Sequence, residues 1–295
     1  MAADEKNFRS AYYDKVASRS VEEKKSLEII LKDKPLDRRK LKQFCLGFCV
    51  PIAYRNLLWK LLLDVVPVHV ECHTFIMNQR KQEFNDLLNA VKVLRSVDVN
   101  TPKSQVFLAM WLLQSGNFSI DMNLINNKGF LAIVQSFGQF FDDDVDIYWL
   151  SRNLYAKTLS IHREIRSLVN VSCVLLEKED NNLYKHLRKN GILENLPLDK
   201  WFICCFAGIL NETALGKIWD KFVAGSVKIM AFVATILLIN FKSKLLKCTE
   251  IYDAQNCLKE IPDEIADVIA NKSIEMWQQY GSPLLLSDVK NIHHS

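Results

Sequence analysis

Between its few glycines (9) and prolines (7), the chain repeats apolar residues three and four positions apart rather than two. That spacing predicts an all-helical protein. Ser20 to Glu23 has the form of a capping box, opening a helix with Leu27, Ile30 and Leu31 on one stripe. Leu36, Asp37 and Leu41 have the spacing of a hydrophobic staple around an N-cap, and the helix they begin should fade near Gly47. In CVPIAYRNLLWKLLLDVVP, Pro51 suits the first helical turn and Pro67 marks the expected end; Arg55, Trp59 and Leu62 fall on one face. Further on, Trp201, Phe202, Cys205, Phe206 and Ile209 make one apolar face. Ala214, Leu215, Ile218, Trp219 and Phe222 make the next, with Asn211 as a cap, and the two segments are expected to pack as antiparallel neighbours.

The stretch Phe222 to Phe241, FVAGSVKIMAFVATILLINF, raises the question of a membrane span. Gly225 suits a helix stop and Ser226 a new N-cap, so the apolar run proper is Ile229 to Phe241. That is short of the ~18 to 20 residues needed to cross hydrocarbon. A helix apolar all round at this length belongs in the middle of a large bundle, so no transmembrane segment is expected.

Composition narrows the functional classes. The chain has 295 residues, of which 49% are hydrophobic, ample for a sizeable core. The net charge of +4 is spread along the chain, which argues against nucleic acid as a partner. The start, MAADEKNFRSAYY, lacks the charged-then-apolar pattern of a secretory signal, and a cytoplasmic location is the expectation. The eight cysteines then read as reduced thiols; Cys173, Cys204 and Cys205 lie in apolar runs, where cysteine acts as a small hydrophobe. His69, Cys72 and His73 lack a second cluster at zinc-site spacing, and the run Asp142, Asp143, Asp144 and Asp146 lacks the Gly and closing Glu of a calcium loop. The acids suit a helix N-terminus instead, so neither a metal site nor a cofactor is expected.

Three segments together carry a family resemblance. WFICCFAG followed by KIWDKFVAGSVKIMAFVATILL closely resembles the last block of TBC domains, the helical GTPase-activating module that acts on Rab GTPases. VPIAYRNLLWKLLL resembles the first block, with Pro51, Arg55 and Trp59 at its pattern positions and Cys49 in place of a Gly. DVDIYWLSRNL resembles the middle block, with Trp149 at its aromatic position. The resemblance implies an all-α domain of two packed helical subdomains at 41–285, a helical extension at 1–40 packed on it, and a flexible tail at 286–295. Within that domain Pro51, Arg55, Trp59, Trp149, Trp201, Trp219 and Asp220 are expected to be structural. Asp220 is the expected partner of a buried cation such as Arg55.

Such domains supply two groups in trans to a GTPase: an Arg in Ile-x-x-Asp-x-x-Arg and a Gln in Tyr-x-Gln-Gly. In general an inserted arginine contributes a factor of about 10³ to 10⁵. With Asp98 as the first motif's Asp, the arginine position holds Thr101, and Arg95 stands where the apolar residue belongs. Counting back from DVDIYW puts the second motif on Asn126, Asn127, Lys128 and Gly129, with Lys128 at the glutamine position. An ammonium has three donors and no acceptor, so Lys128 cannot hold an attacking water as an amide does. Arg95 and Gln135 are the nearest substitutes, both out of place, and a misplacement of about 1 Å already costs on the order of 10² in rate. No catalytic residue is therefore expected. NFRSAYYDKV, VEEKKSLEIILKD and the brevity of the chain resemble the short family members that form the third subunit of the tuberous sclerosis complex. The resemblance implies a non-catalytic adaptor for a hamartin-like coiled coil, reaching lysosomal or other vesicle membranes through the complex. The alternative it implies is a Rab GTPase activator with non-standard residues.

Overall fold

The computed structural model describes residues 21–117 and 127–280, and every regular element among them is a helix. Residues 21–30 form α1, followed by α2 (Arg38–Gly47) and α3 (Ile52–Leu62). A 3₁₀ turn (Val70–Cys72) leads into α4 (His73–Val93), then α5 (Lys103–Gln114), α6 (Lys128–Phe140) and α7 (Asp144–Ser160). The second half contains α8 (His162–Glu179), α9 (Asn181–Lys189), α10 (Ile192–Asn195), α11 (Leu198–Ile203), α12 (Glu212–Val223) and α13 (Ile229–Asn240). It closes with α14 (Lys242–Leu245), α15 (Ile251–Cys257) and α16 (Asp263–Gln279).

The helices fall into two packed groups. In the first, α4, α5, α6 and α7 pack in succession, with α7 also returning to α4. The aromatic contacts give the directions. Phe107 of α5 meets Tyr148 of α7 near the starts of both helices, whereas Trp111 of α5 meets Phe130 of α6 and Tyr155 of α7. So α5 and α7 run parallel, with α6 antiparallel to both. In the second group α13 is the axis, packed on α8, α12 and α16. Every residue of α13 from Ile229 to Leu238 is buried, which is why its surface is apolar on all sides. No described helix is long and apolar enough to cross a membrane. α12 joins the groups, touching α2, α3 and α6 on one side and α13 and α16 on the other.

Local sequence explains many of the boundaries. Asp37 caps α2 by accepting from the amides of Arg39 and Lys40, with Leu36 and Leu41 buried on either side. Asn211 caps α12 through the Ala214 amide, and Asp143 caps α7 through Val145 and Asp146. Gly225 ends α12 with φ +115°; the amides of Gly225 and Ser226 return to the carbonyls of Phe222 and Lys221, a Schellman closure.

Four expectations need correction, and others fall outside the described residues. α3 stops at Leu62, five residues before Pro67, because Asp64 turns left-handed at φ +59° and the Val65 amide closes on Lys60. Pro51 takes the N-cap of α3 rather than its first turn. Ser226 belongs to the closure of α12, and α13 begins three residues later behind Lys228. The apolar face of Trp201 to Ile209 is only half helix: α11 ends at Ile203, and Cys205 and Phe206 both adopt left-handed backbone. Two such residues in a row reverse the chain. α11 accordingly packs on α7 and α8, not as an antiparallel neighbour of α12. Ser20, Asn126, the segment NFRSAYYDKV and the 286–295 tail lie outside the described residues.

Candidate functional site

A buried polar arrangement among the described residues is built on two helix faces. Arg55 and Trp59, one turn apart on α3, both point at Asp220 of α12. Arg55 donates to Asp220 Oδ2 from Nε (3.3 Å) and Nη2 (3.1 Å), and Trp59 Nε1 donates to Oδ1 at 2.9 Å. All three residues are buried, so the charges are satisfied by each other rather than by water. Burial pushes the Asp220 carboxyl up to about 6, against the opposing pull of Arg55, Lys221 and the Trp59 donor. Trp219 lies against Trp59 with ring centroids 6.0 Å apart and donates to the Cys205 carbonyl, which holds the reversed turn after α11.

The pattern positions of the middle block are equally structural in their contacts. Trp149 is fully buried and its Nε1 donates to the Arg80 carbonyl of α4 at 3.1 Å, with the Arg80 guanidinium 4.2 Å from the ring centre. Asp146 accepts from Asn56 and Lys60 of α3, and Asp144 from Lys103 of α5, so with the Asp143 cap three of the four acids, all but exposed Asp142, are engaged in a cap or inter-helix pairs. His73 is engaged with the Pro67 carbonyl and His69 with Glu71.

An open groove of about 730 Å³ lies beside the start of α6, lined by Lys128, Gly129 and Ala132 and faced by Lys200, Trp201 and Ile203 of α11. Gly129 is closely faced there: a Cβ would sit 3.1 Å from Ile203 Cγ2 and 3.4 Å from Tyr155, so the Ile203 side chain would have to give way slightly. Lys128 is exposed at the groove's rim. Thr101 is elsewhere. Its hydroxyl donates to Asp98 Oδ1 and accepts from the Asp98 amide, tying a turn just ahead of α5. Lys103, two residues on, reaches Asp144 at the start of α7, four residues past the end of α6. Thr101 therefore stands at the C-terminal end of α6 and Lys128 at its N-terminal end. At 1.5 Å per residue α6 itself is about 18 Å long between those ends. Arg95 is exposed in the left-handed position that closes α4, and Gln135 is exposed two turns along α6 from Lys128.

The Rab-GTPase-TBC domain pattern matches residues 126–246. Two full-length relatives match almost end to end: TBC1 domain family member 7 of Homo sapiens is 40% identical over 285 residues, covering 95% of this chain and 97% of the relative. TBC1 domain family member 7 of Danio rerio is 38% identical over 295 residues, 96% and 99% respectively. The chain belongs to the TBC domain family. The crystal structure of the Ypt/Rab-GAP domain of Gyp1p shares the TBC fold, with a TM-score of 0.59 at 15% identity over 88% of this chain and 99% of that one.

Two participants in this TBC domain's central network have no counterpart in the sequence reading. Gly216 gives the Arg55 guanidinium room: a Cβ there would lie 2.5 Å from Nη1. Lys221 is buried with its ammonium donating to the carbonyls of Cys45 and Phe48, both at 2.6 Å, at the C-terminal end of α2. Burial lowers its pKa, opposed by Asp220. A lysine one position from Asp220, among Ile218, Trp219 and Phe222, was the available signal. Its acceptors were not, because unpaired carbonyls at a helix end belong to no residue type.

Proposed function

We propose that this TBC domain is a non-catalytic adaptor. In this reading its helical surface binds a hamartin-like coiled coil and stabilises the tuberous sclerosis complex, contributing to negative regulation of the Rheb GTPase and of target-of-rapamycin signalling. The catalytic work belongs to another subunit, and this cytoplasmic protein reaches lysosomal or other vesicle membranes through the complex. One observation carries the non-catalytic part: the residues at the arginine and glutamine positions stand at opposite ends of α6. One transferring phosphoryl group spans only a few ångströms, and neither a threonine locked to Asp98 nor a lysine at the other end of α6 supplies the planar fork or the amide the chemistry uses. The adaptor role and its partner rest on the family resemblance, through the full-length relatives that share the name TBC1 domain family member 7.

The test is single-turnover GTP hydrolysis by a panel of Rab proteins and Rheb with this protein in excess, beside a TBC domain that has both catalytic groups. No acceleration is expected, and a hamartin-like coiled-coil fragment should co-elute with the wild type and with Thr101→Ala and Lys128→Ala alike. Acceleration near the control for any one Rab would overturn the reading in favour of a Rab GTPase activator with non-standard residues. Arg95 and Gln135 would then be the first to replace.

A further inference from the structure

Cys248 and Cys257 place their sulfurs 3.8 Å apart, in van der Waals contact. Cys248 sits in the turn after α14 and Cys257 is the last residue of α15, and the two short helices pack on each other. Cys248 is held from both sides. Its amide returns to Leu245, its thiol faces the Lys244 carbonyl at 3.4 Å, and its own carbonyl is engaged by His186 Nε2 of α9 at 2.8 Å. The pair differs in access: Cys248 is 5% exposed, whereas Cys257 is only partly buried. None of these atoms takes part in the Arg55 network or in the groove beside α6.

We propose that Cys248 and Cys257 form an oxidisable dithiol, a modification site that converts to an intramolecular disulfide under peroxide and clamps the turn after α14 to the end of α15. Peroxide oxidises the more accessible thiol first: Cys257–SH and H₂O₂ give Cys257–SOH and water. Cys248 sulfur then attacks the sulfenic sulfur, forming the S–S bond and releasing a second water as the Cys248 proton joins the departing hydroxide. Two electrons pass from the two thiols to one peroxide, and a dithiol reductant reverses the change. The order follows from the site, since burial and the neighbouring Cys257 thiol push the Cys248 thiol up to about 11, which makes it the poorer first nucleophile. The covalent S–S length is about 2.05 Å, so closure asks for an approach of under ~2 Å, within reach of side-chain rotation and a small shift of the exposed turn.

The sequence makes the experiment clean. Trypsin cuts after Lys247 and Lys259, so one peptide, CTEIYDAQNCLK, carries both thiols and no other cysteine. The full chain is titrated with hydrogen peroxide, quenched, alkylated in denaturant and mapped by mass spectrometry. The expected result is loss of both alkylation sites from this peptide with loss of two hydrogens in mass, restored by dithiothreitol. Replacement Cys257→Ser should leave Cys248 alkylatable at the same dose. Cys248→Ser should leave Cys257 as a sulfenic acid that dimedone traps. Exposed Cys49 is the internal gauge of oxidation. Two results overturn the proposal: a doubly alkylated peptide at doses that have already oxidised Cys49, or accumulation of Cys257 sulfinic acid while Cys248 still takes the alkyl group.

Discussion

Arg55 and Asp220 are 165 residues apart in the chain and share one buried ion pair. Each alone would be an uncompensated charge among aromatic rings, so the cost of removing one partner exceeds the worth of the pair. Asp220→Ala should lower stability by about 3–5 kcal/mol in chemical denaturation, leaving Arg55 unpaired and Trp59 Nε1 without its acceptor. Arg55→Met with Asp220→Ala should recover part of that loss, because no charge is then stranded. If the double variant instead shows the plain sum of the two single losses, the pair is not coupled. Arg55, Trp59 and Asp220 were all legible from motif positions, and an acid partner for a buried arginine follows from charge alone. Gly216 was not, since a glycine in a helix announces nothing until the side chain that needs its space is known.

Among elements, α12 is the one whose surroundings override its own preferences. A glycine within a helix ordinarily costs about 1 kcal/mol relative to alanine. In α12 that cost accompanies close approach of the Arg55 guanidinium, which an alanine methyl would displace from Asp220. Gly216→Ala is therefore expected to destabilise the protein, and to stabilise it slightly when made in an Arg55→Met background; a stabilising effect in the wild type would show that the guanidinium moves freely. The same override ends α11. Period-three-and-four spacing through Trp201 to Ile209 is consistent with a continued helix, but the backbone turns left-handed at Cys205 and Phe206 with the Phe206 ring buried, and the Trp219 donor secures the Cys205 carbonyl. Spacing reports which residues are buried, not whether one helix buries them all.

For the whole molecule, the two helical groups meet where charged side chains cross between them. Lys157 of α7 donates to the Val223 carbonyl at the end of α12, and burial with nearby Lys42 lowers its pKa to about 8 from the ordinary 10.5. The unfolded chain keeps that proton up to the ordinary value while the folded chain releases it earlier, so this group's cost is constant below about pH 8 and is relieved as pH rises towards 10.5. Urea unfolding of the wild type and Lys157→Met at pH values from about 7 to 10 should show the wild type gaining relative to the variant only above about pH 8. A difference that stays flat across that range would place Lys157 in water in the folded state.

The sequence alone determined the helical class, the central place of the Ile229–Phe241 run and many of the caps, because apolar period, proline, glycine and capping side chains act within a few residues. Motif spacing also nominated Thr101 and Lys128 as the candidate catalytic positions, since residue identity at a counted position needs no coordinates. Only the tertiary structure decided how far apart those positions lie, which carbonyls receive Lys221, where α11 stops and that Cys248 meets Cys257. Those depend on helix directions and on contacts between distant segments. The free energy that selects them belongs to pairs of elements, and a pattern read along one chain contains only its separate halves.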